Sequence, residues 1–251
     1  MTESTSPGGT DIADDPHDAD PGLDFAADAL ESEAFFDADD DTPLLPRRRH
    51  HVTTVVVAHD GAVWLPAVLT TLAQQTRQTN AVVGVDNASD DASAEVLTES
   101  LGEQRVVLRD ANDGFGAAVN AGLAAVPAVE PPLPSDVVSW VWLLHDDSAA
   151  DPTCLERLLD TADNHPSAAI LGPKVLGWHD RRLLLEVGVS VNADGRRVTG
   201  LERREHDQGQ HDGDRDVLAV STAGMLVRRD VWDELGGFDP TLPLFRDDLD
   251  F

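Results

Sequence analysis

The chain holds one cysteine, one lysine and no tyrosine among its 251 residues, and no apolar stretch in it is long enough to span a bilayer. A lone Cys154 excludes an intrachain disulfide and fits a reducing compartment, where it reads as a small helix residue. Positive charge is scarce too, with 18 basic residues against 47 acidic ones and a formal net charge of −29. No basic surface is then available to neutralise phosphates, which excludes nucleic acid as a partner. The N-terminus has neither a basic start nor an apolar signal region, so the chain is expected to be soluble, not exported and cytoplasmic. Apart from Lys174 every basic residue is arginine; with abundant Ala and Asp, this fits a high-GC genome and a saline cytoplasm equally.

The acid is unevenly spread. Residues 1–46 carry 14 Asp or Glu, no Lys or Arg and no periodic apolar pattern, the mark of a disordered acidic tail. Arg47, Arg48, Arg49, His50 and His51 then read as a short basic hinge. Residues 47–251 are expected to form one domain, itself acidic, with 33 Asp or Glu against the 18 basic residues.

Within that domain, strand and helix patterns alternate. The branched run 52–58 predicts a strand, and Val63, Leu65, Val68, Leu69 and Leu72 recur at helical spacing over 62–75. A strand at 81–85, a helix carrying Val96, Leu97 and Leu101, a short strand at 106–108 and a small-residue helix opened by Asn112-Asp113-Gly114-Phe115-Gly116 follow. Trp140 to Leu144 is a continuous apolar run, as expected of a strand buried on both faces; Leu155, Leu158 and Leu159 mark the next helix, and 168–171 resumes the sheet. Such alternation implies an α/β fold with a mostly parallel sheet and right-handed crossovers. After Lys174 the pattern changes: 183–191 and 196–201 flank Asn192-Ala193-Asp194-Gly195 as a hairpin, and 202–216 is a polar loop. His206 and His211 lie in that loop without supporting cysteines and read as loop residues rather than metal ligands. A short helix at 230–235 breaks at Gly236-Gly237, and the chain closes on acidic residues with no closing helix, which suggests a domain cut short.

Three acidic sites fall at the ends of these elements: Asp86, the pair Asp146-Asp147, and Asp247, Asp248 and Asp250. Ligands of open α/β sheets bind outside the carboxyl ends of the strands, and adjacent carboxylates there are costly unless a cation or proton offsets their repulsion. Hard oxygen ligands point to Mg²⁺ or Mn²⁺. The bland alternative for each site is a solvated turn or helix cap, with Asp151 before Pro152 capping the helix behind the pair.

Taken in order, the motifs resemble the family 2 glycosyltransferases, inverting enzymes of the GT-A fold. Val55 to Gly61 with Leu65-Pro66 and Leu72 to Thr76 is similar to the family's first strand and helix, and Val85 to Asp90 to its second-strand motif. Asn112 to Gly116 with Asn120 and Gly122 resembles the third-helix motif, and Leu144 to Ser148 stands where the family carries its metal-binding aspartate. Thr222 to Arg229 with Gly236 to Asp239 resembles the acceptor-side segment, and Asp247 to Asp250 the motif holding the catalytic base. Within the family the chain is most similar to bacterial rhamnosyl- and galactofuranosyl-transferase-like members. It departs from the pattern at Ala58, commonly proline, at Asp60, commonly asparagine, and in lacking a strict Asp-x-Asp.

The resemblance implies a nucleoside-diphosphate sugar as donor and a glycan or glycolipid of the cell envelope as acceptor, with the full-length protein associated with the cytoplasmic face of a membrane. It implies that Ala58, Asp60, Asp86, Asn87, Asn112, Gly114, Asn120 and Asp146 bind the nucleotide, with Asp86 at the base, and that Asp147 holds the metal. Asp248 becomes the general base, its proton affinity raised by Asp247 beside it. With the base motif on the final residues, the 251-residue chain is expected to bind a nucleotide sugar and transfer it poorly. Two other readings stay open. Gly114-Phe115-Gly116 follows a strand and opens a helix as a dinucleotide-binding turn does, but lacks the full glycine spacing; and the chain could be a non-catalytic nucleotide-sugar-binding or scaffolding segment, which turnover would eliminate.

Overall fold

The computed structural model describes residues 48–194 and 196–239. The acidic segment 1–46, the domain's last residues and the cluster Asp247, Asp248 and Asp250 lie outside the described residues.

Four strands run parallel: β1 (Arg49–Ala58), β2 (Ala81–Asp86), β3 (Val106–Leu108) and β4 (Val137–His145). Between them lie α1 (Leu65–Ala73), α2 (Ser93–Leu101) and α3 (Phe115–Ala125), with α4 (Cys154–Asn164) behind β4. Next come β5 (Ile170–Leu171), β6 (Val175–Leu176), β7 (Leu184–Glu186), β8 (Ser190–Val191), β9 (Arg197–Val198), β10 (Leu226–Arg228) and α5 (Arg229–Leu235). The main sheet has the order β3-β2-β1-β4-β10-β5, with β10 antiparallel to both of its neighbours. β5 therefore resumes the sheet as expected, but across β10 rather than beside β4.

The parity of β1 explains the layering, because successive side chains of a strand point to opposite faces. Val52, Val56 and Ala58 pack on one face with Leu65, Val68 and Leu69 of α1, Leu97 of α2 and Leu155 and Leu158 of α4. Val55 and Val57 pack on the other with Ala118, Val119 and Leu123 of α3 and Trp232 of α5. Each fully buried valine of this kind contributes about 1.5–3 kcal/mol of transfer free energy. The helices thus change faces after β3, and β1 and β4 become neighbours at the point where the strand order reverses.

The periodicity over 62–75 overshoots α1 at both ends, because Gly61 to Trp64 forms a turn, with the Trp64 and Leu65 amides donating to the Gly61 carbonyl at 2.9 and 3.0 Å. The run 183–191 is not one strand. It divides at Gly188, whose φ of +98° suits glycine, into β7 on β6 and β8 on β9, so only the outer part forms the expected hairpin. Gln75, 3% exposed, ties α1 to α4: its amide donates to the Asp151 carbonyl at 2.7 Å and its oxygen accepts from the Leu155 amide at 3.0 Å. That bond fixes the far end of the loop leaving β4. Asp151 itself accepts from the Thr153 amide and hydroxyl, ahead of α4.

Candidate active site

The carboxyl ends of the parallel strands are in register: Ala58 faces Asp86, Asp86 faces Leu108, and Val57 faces His145. This brings the loops after β1, β2 and β4 into one crevice at the reversal point, where open α/β sheets bind ligands.

Asp86 ends β2 and is 5% exposed. Its Oδ2 accepts from the Ser89 amide at 3.2 Å, whereas Oδ1 is buried with no hydrogen-bond partner among the described residues. A buried carboxylate oxygen without a donor costs free energy unless water or a ligand supplies one. Around it, side chains fix the β1 loop. The Asp60 amide donates to Ser89 Oγ at 3.1 Å, the Gly61 amide to Ser93 Oγ at 2.9 Å and the Ala62 amide to Asp91 Oδ2 at 3.0 Å. The Asp60 carboxylate in turn accepts from the Asp90 amide at 2.8 Å. The Ser93 bond holds the Asp91 carboxyl below its usual range, helped by the Ala62 amide. Asp60 sits at φ 55° and Ala88 at φ 60°, a left-handed geometry uncommon for side-chain-bearing residues and one that marks turns and functional loops.

The next strand end is built around asparagines. Buried Asn87 donates to Asn112 Oδ1 at 2.7 Å and accepts from the Arg109 guanidinium at 2.8 Å; Arg109 also pairs with Asp113 at 2.9 Å. Asn112 Oδ1 accepts from the Gly114 amide at 3.0 Å, and Gly114 takes a φ of +97° at the start of α3. Asn87 and Asn112 thus hold the β2 and β3 loops to one another. Ala58 is fully buried and its carbonyl accepts from the Asn87 amide at 2.8 Å. Asn120 lies on α3 and donates to the Phe238 carbonyl at 3.3 Å.

On the other side of the crevice, Asp146 Oδ2 accepts from the His59 amide at 2.8 Å, which fastens the β1 loop to the β4 turn. Gly61 lies directly against this carboxylate, and a Cβ there would stand 2.2 Å from Oδ2. Burial raises the Asp146 pKa, against the pull of the His59 amide and with the like charge of Asp147 adding to the rise. Asp147 is exposed at the same turn.

His145 and Thr222, which the sequence places inside the Leu144 to Ser148 and Thr222 to Arg229 motifs without a role of their own, also stand at this edge. Part-buried His145 lies 2.9 Å from Thr222 Oγ1 through Nε2, and its ring centroid is 4.3 Å from that of Phe115. Burial lowers its pKa, opposed by Asp147. A histidine closing an otherwise apolar strand was the visible signal; its partner 77 residues away was not.

An α/β sheet of this order, with Asp86 and Asp146-Asp147 at the carboxyl ends of its parallel strands, is the architecture of GT-A glycosyltransferases. The description "Glycosyltransferase like family 2" matches residues 49–251, and the chain belongs to that family. Among curated relatives, the N-acetylglucosaminyl-diphospho-decaprenol L-rhamnosyltransferase of Mycobacterium tuberculosis is 26% identical over 219 residues, which takes in 78% of this chain and 67% of that protein. The fold matches that of S. aureus TarS 1-349 with a TM-score of 0.52 at 16% identity, over 80% of this chain and 53% of the other. It also matches the mannosyltransferase PcManGT of Pyrobaculum calidifontis, solved with GDP-Man and Mn²⁺, with a TM-score of 0.53 at 16% identity, over 82% and 51%. The chain thus spans about half the length of these two solved structures.

Proposed function

We infer that the protein transfers a sugar from a nucleoside-diphosphate sugar to a hydroxyl of a glycan or glycolipid acceptor, with inversion at the anomeric carbon. The observation that carries this reading is the buried Oδ1 of Asp86 at the carboxyl edge, which has no hydrogen-bond partner among the described residues and which the ring N–H of a bound base would satisfy. The asparagine web behind it keeps the pocket shaped before ligand arrives, so little binding energy is lost to ordering.

Among the described residues no three metal-ligating side chains converge. The hard oxygen donors at the β4 turn are of the kind that hold Mg²⁺ or Mn²⁺, which take one or two carboxylates and are completed by phosphate oxygens and water. Asp147 would be the ligand, exposed beside Asp146, whose Oδ2 is already engaged by His59. Such a cation supplies charge stabilisation to the departing diphosphate. Asp146 braces the turn and the β1 loop, and on the opposite face of the sugar Asp248 takes the proton of the attacking hydroxyl, assisted by Asp247. The resemblance of 247–250 to the family's acidic motif supports that role. Membrane association of the full-length protein at its cytoplasmic face fits a glycolipid acceptor and belongs to the same proposal; no helix among the described residues is long and apolar enough to cross a membrane.

Calorimetry of UDP, GDP and TDP with Mn²⁺ and with chelator tests the metal assignment. Asp147→Ala is expected to abolish the gain in affinity from metal while the fold persists, because the residue lies beyond the strand. An unchanged gain removes Asp147 from the site.

A further inference from the structure

We propose that His145 is a positioning residue that couples the Asp146-Asp147 turn to the segment 221–224, so that occupancy of one orders the other. The proposal rests on the donor-site reading above and adds to it a path between the two sides of the crevice.

The turn is closed on His145 itself. The His145 amide donates to Ser148 Oγ at 2.9 Å, and the Ser148 amide donates back to the His145 carbonyl at 3.2 Å. Any movement of the two aspartates therefore moves the backbone that carries the imidazole. The imidazole is clasped between the Phe115 ring, at the first turn of α3, and the hydroxyl of Thr222, which is 6% exposed.

Thr222 belongs to a short strap beside β4 that continues the antiparallel pairing of β10. The Gly224 amide donates to the Leu143 carbonyl at 3.0 Å, the Leu143 amide to the Met225 carbonyl at 2.8 Å, and Trp142 Nε1 to the Gly224 carbonyl at 3.2 Å. Gly224 has φ +127°, and a Cβ there would stand 2.7 Å from Pro173 Cγ, so the strap follows one backbone path. Leu143 and Trp142 fasten the strap along β4, whereas the His145 to Thr222 contact is a side-chain link to the turn that carries the diphosphate-side carboxylates. Packed interfaces of this kind respond as units rather than by continuous deformation.

The test measures how far Mn²⁺ strengthens binding of UDP, GDP or TDP, the ratio of affinities with and without metal, in the parent protein, His145→Phe, Thr222→Val and the double variant. Both single variants should lower that ratio by about tenfold, within the usual range of site-to-site coupling, and the double variant should lose no more than either. A purely structural role would weaken binding equally with and without metal. His145→Gln, which keeps a hydrogen-bonding group, should recover part of the ratio, and Thr222→Val keeps the test interpretable if His145→Phe does not fold. In parallel, amide exchange at 222–225 should slow when Mn²⁺ and nucleotide bind the parent but not the variants. Unchanged ratios, or losses that add in the double variant, would overturn the coupling while nucleotide binding stands. A parent protein that binds none of the three nucleotides would overturn the donor-site reading and the coupling with it.

Discussion

Gly61→Ala is the sharpest perturbation of the crevice. Gly61 has no positive φ, so alanine suits its backbone, and the added methyl meets one obstacle: its carbon would lie 2.2 Å from Asp146 Oδ2, 2.4 Å from Cγ and 2.6 Å from Cβ. Ordinary contact needs more than 3.4 Å, and because the Asp146 Cβ does not move with its rotamer, the backbone of the turn must shift along with the carboxylate, which gives up the His59 amide it accepts from at 2.8 Å. Losing a hydrogen bond to a charged group costs about 1.5–3 kcal/mol. For a domain of this size that lowers the melting temperature by roughly 3–12 °C. Thermal and urea unfolding of Gly61→Ala, Asp146→Ala and the pair provide the assay. Asp146→Ala removes the Cγ and Oδ2 contacts but keeps the Cβ at 2.6 Å, so Gly61→Ala should still destabilise that background, by less than it destabilises the parent. A Gly61→Ala protein as stable as the parent, or equally destabilised on both backgrounds, would refute the claimed contact.

Two other outcomes follow from the same structure. The Glu205 carboxyl is held down to about 2 from 4.5, first by the Gln210 amide, then by the Glu202 amide and His211. Its folded pKa lies below its unfolded one, so its contribution is present above about 4.5 and is lost as pH falls towards about 2. Glu205→Gln should flatten the acid limb of stability between those values in urea melts at stepped pH, and an unaltered slope would remove Glu205 as a cause. In the full-length protein, Asp248→Asn should keep donor affinity and lose transfer by roughly two to four orders of magnitude; full transfer would show that another residue is the base.

The parallel core was legible because burial on both faces leaves a continuous apolar signature, as in Val55 to Ala58 and Trp140 to Leu144. The place of β10 was not. A three-residue strand carries no mark of its partner, and its insertion between β4 and β5 is decided by contacts across more than 50 residues. Likewise 183–191 is largely apolar, interrupted at Glu186 and Ser190, and the break at Gly188 comes from a backbone angle and the closeness of Val217, neither of which is written in the local pattern. At the site, Asp86 and Asp146-Asp147 were readable as carboxylates at strand ends. That Asn87 and Asn112 bond to each other, and that Asn120 turns to Phe238, depended on distances that only the folded chain supplies.

The central claim is that the crevice beside Asp86 receives a nucleotide. Titrating the parent protein and Asp86→Ala with UDP, GDP, TDP and bare pyrophosphate, each with and without Mn²⁺, tests it directly. At least one nucleotide should bind the parent, and Asp86→Ala should weaken it by about 1–3 kcal/mol with or without metal, leaving pyrophosphate untouched. Failure of every nucleotide to bind, or an equal loss for pyrophosphate, would contradict the account.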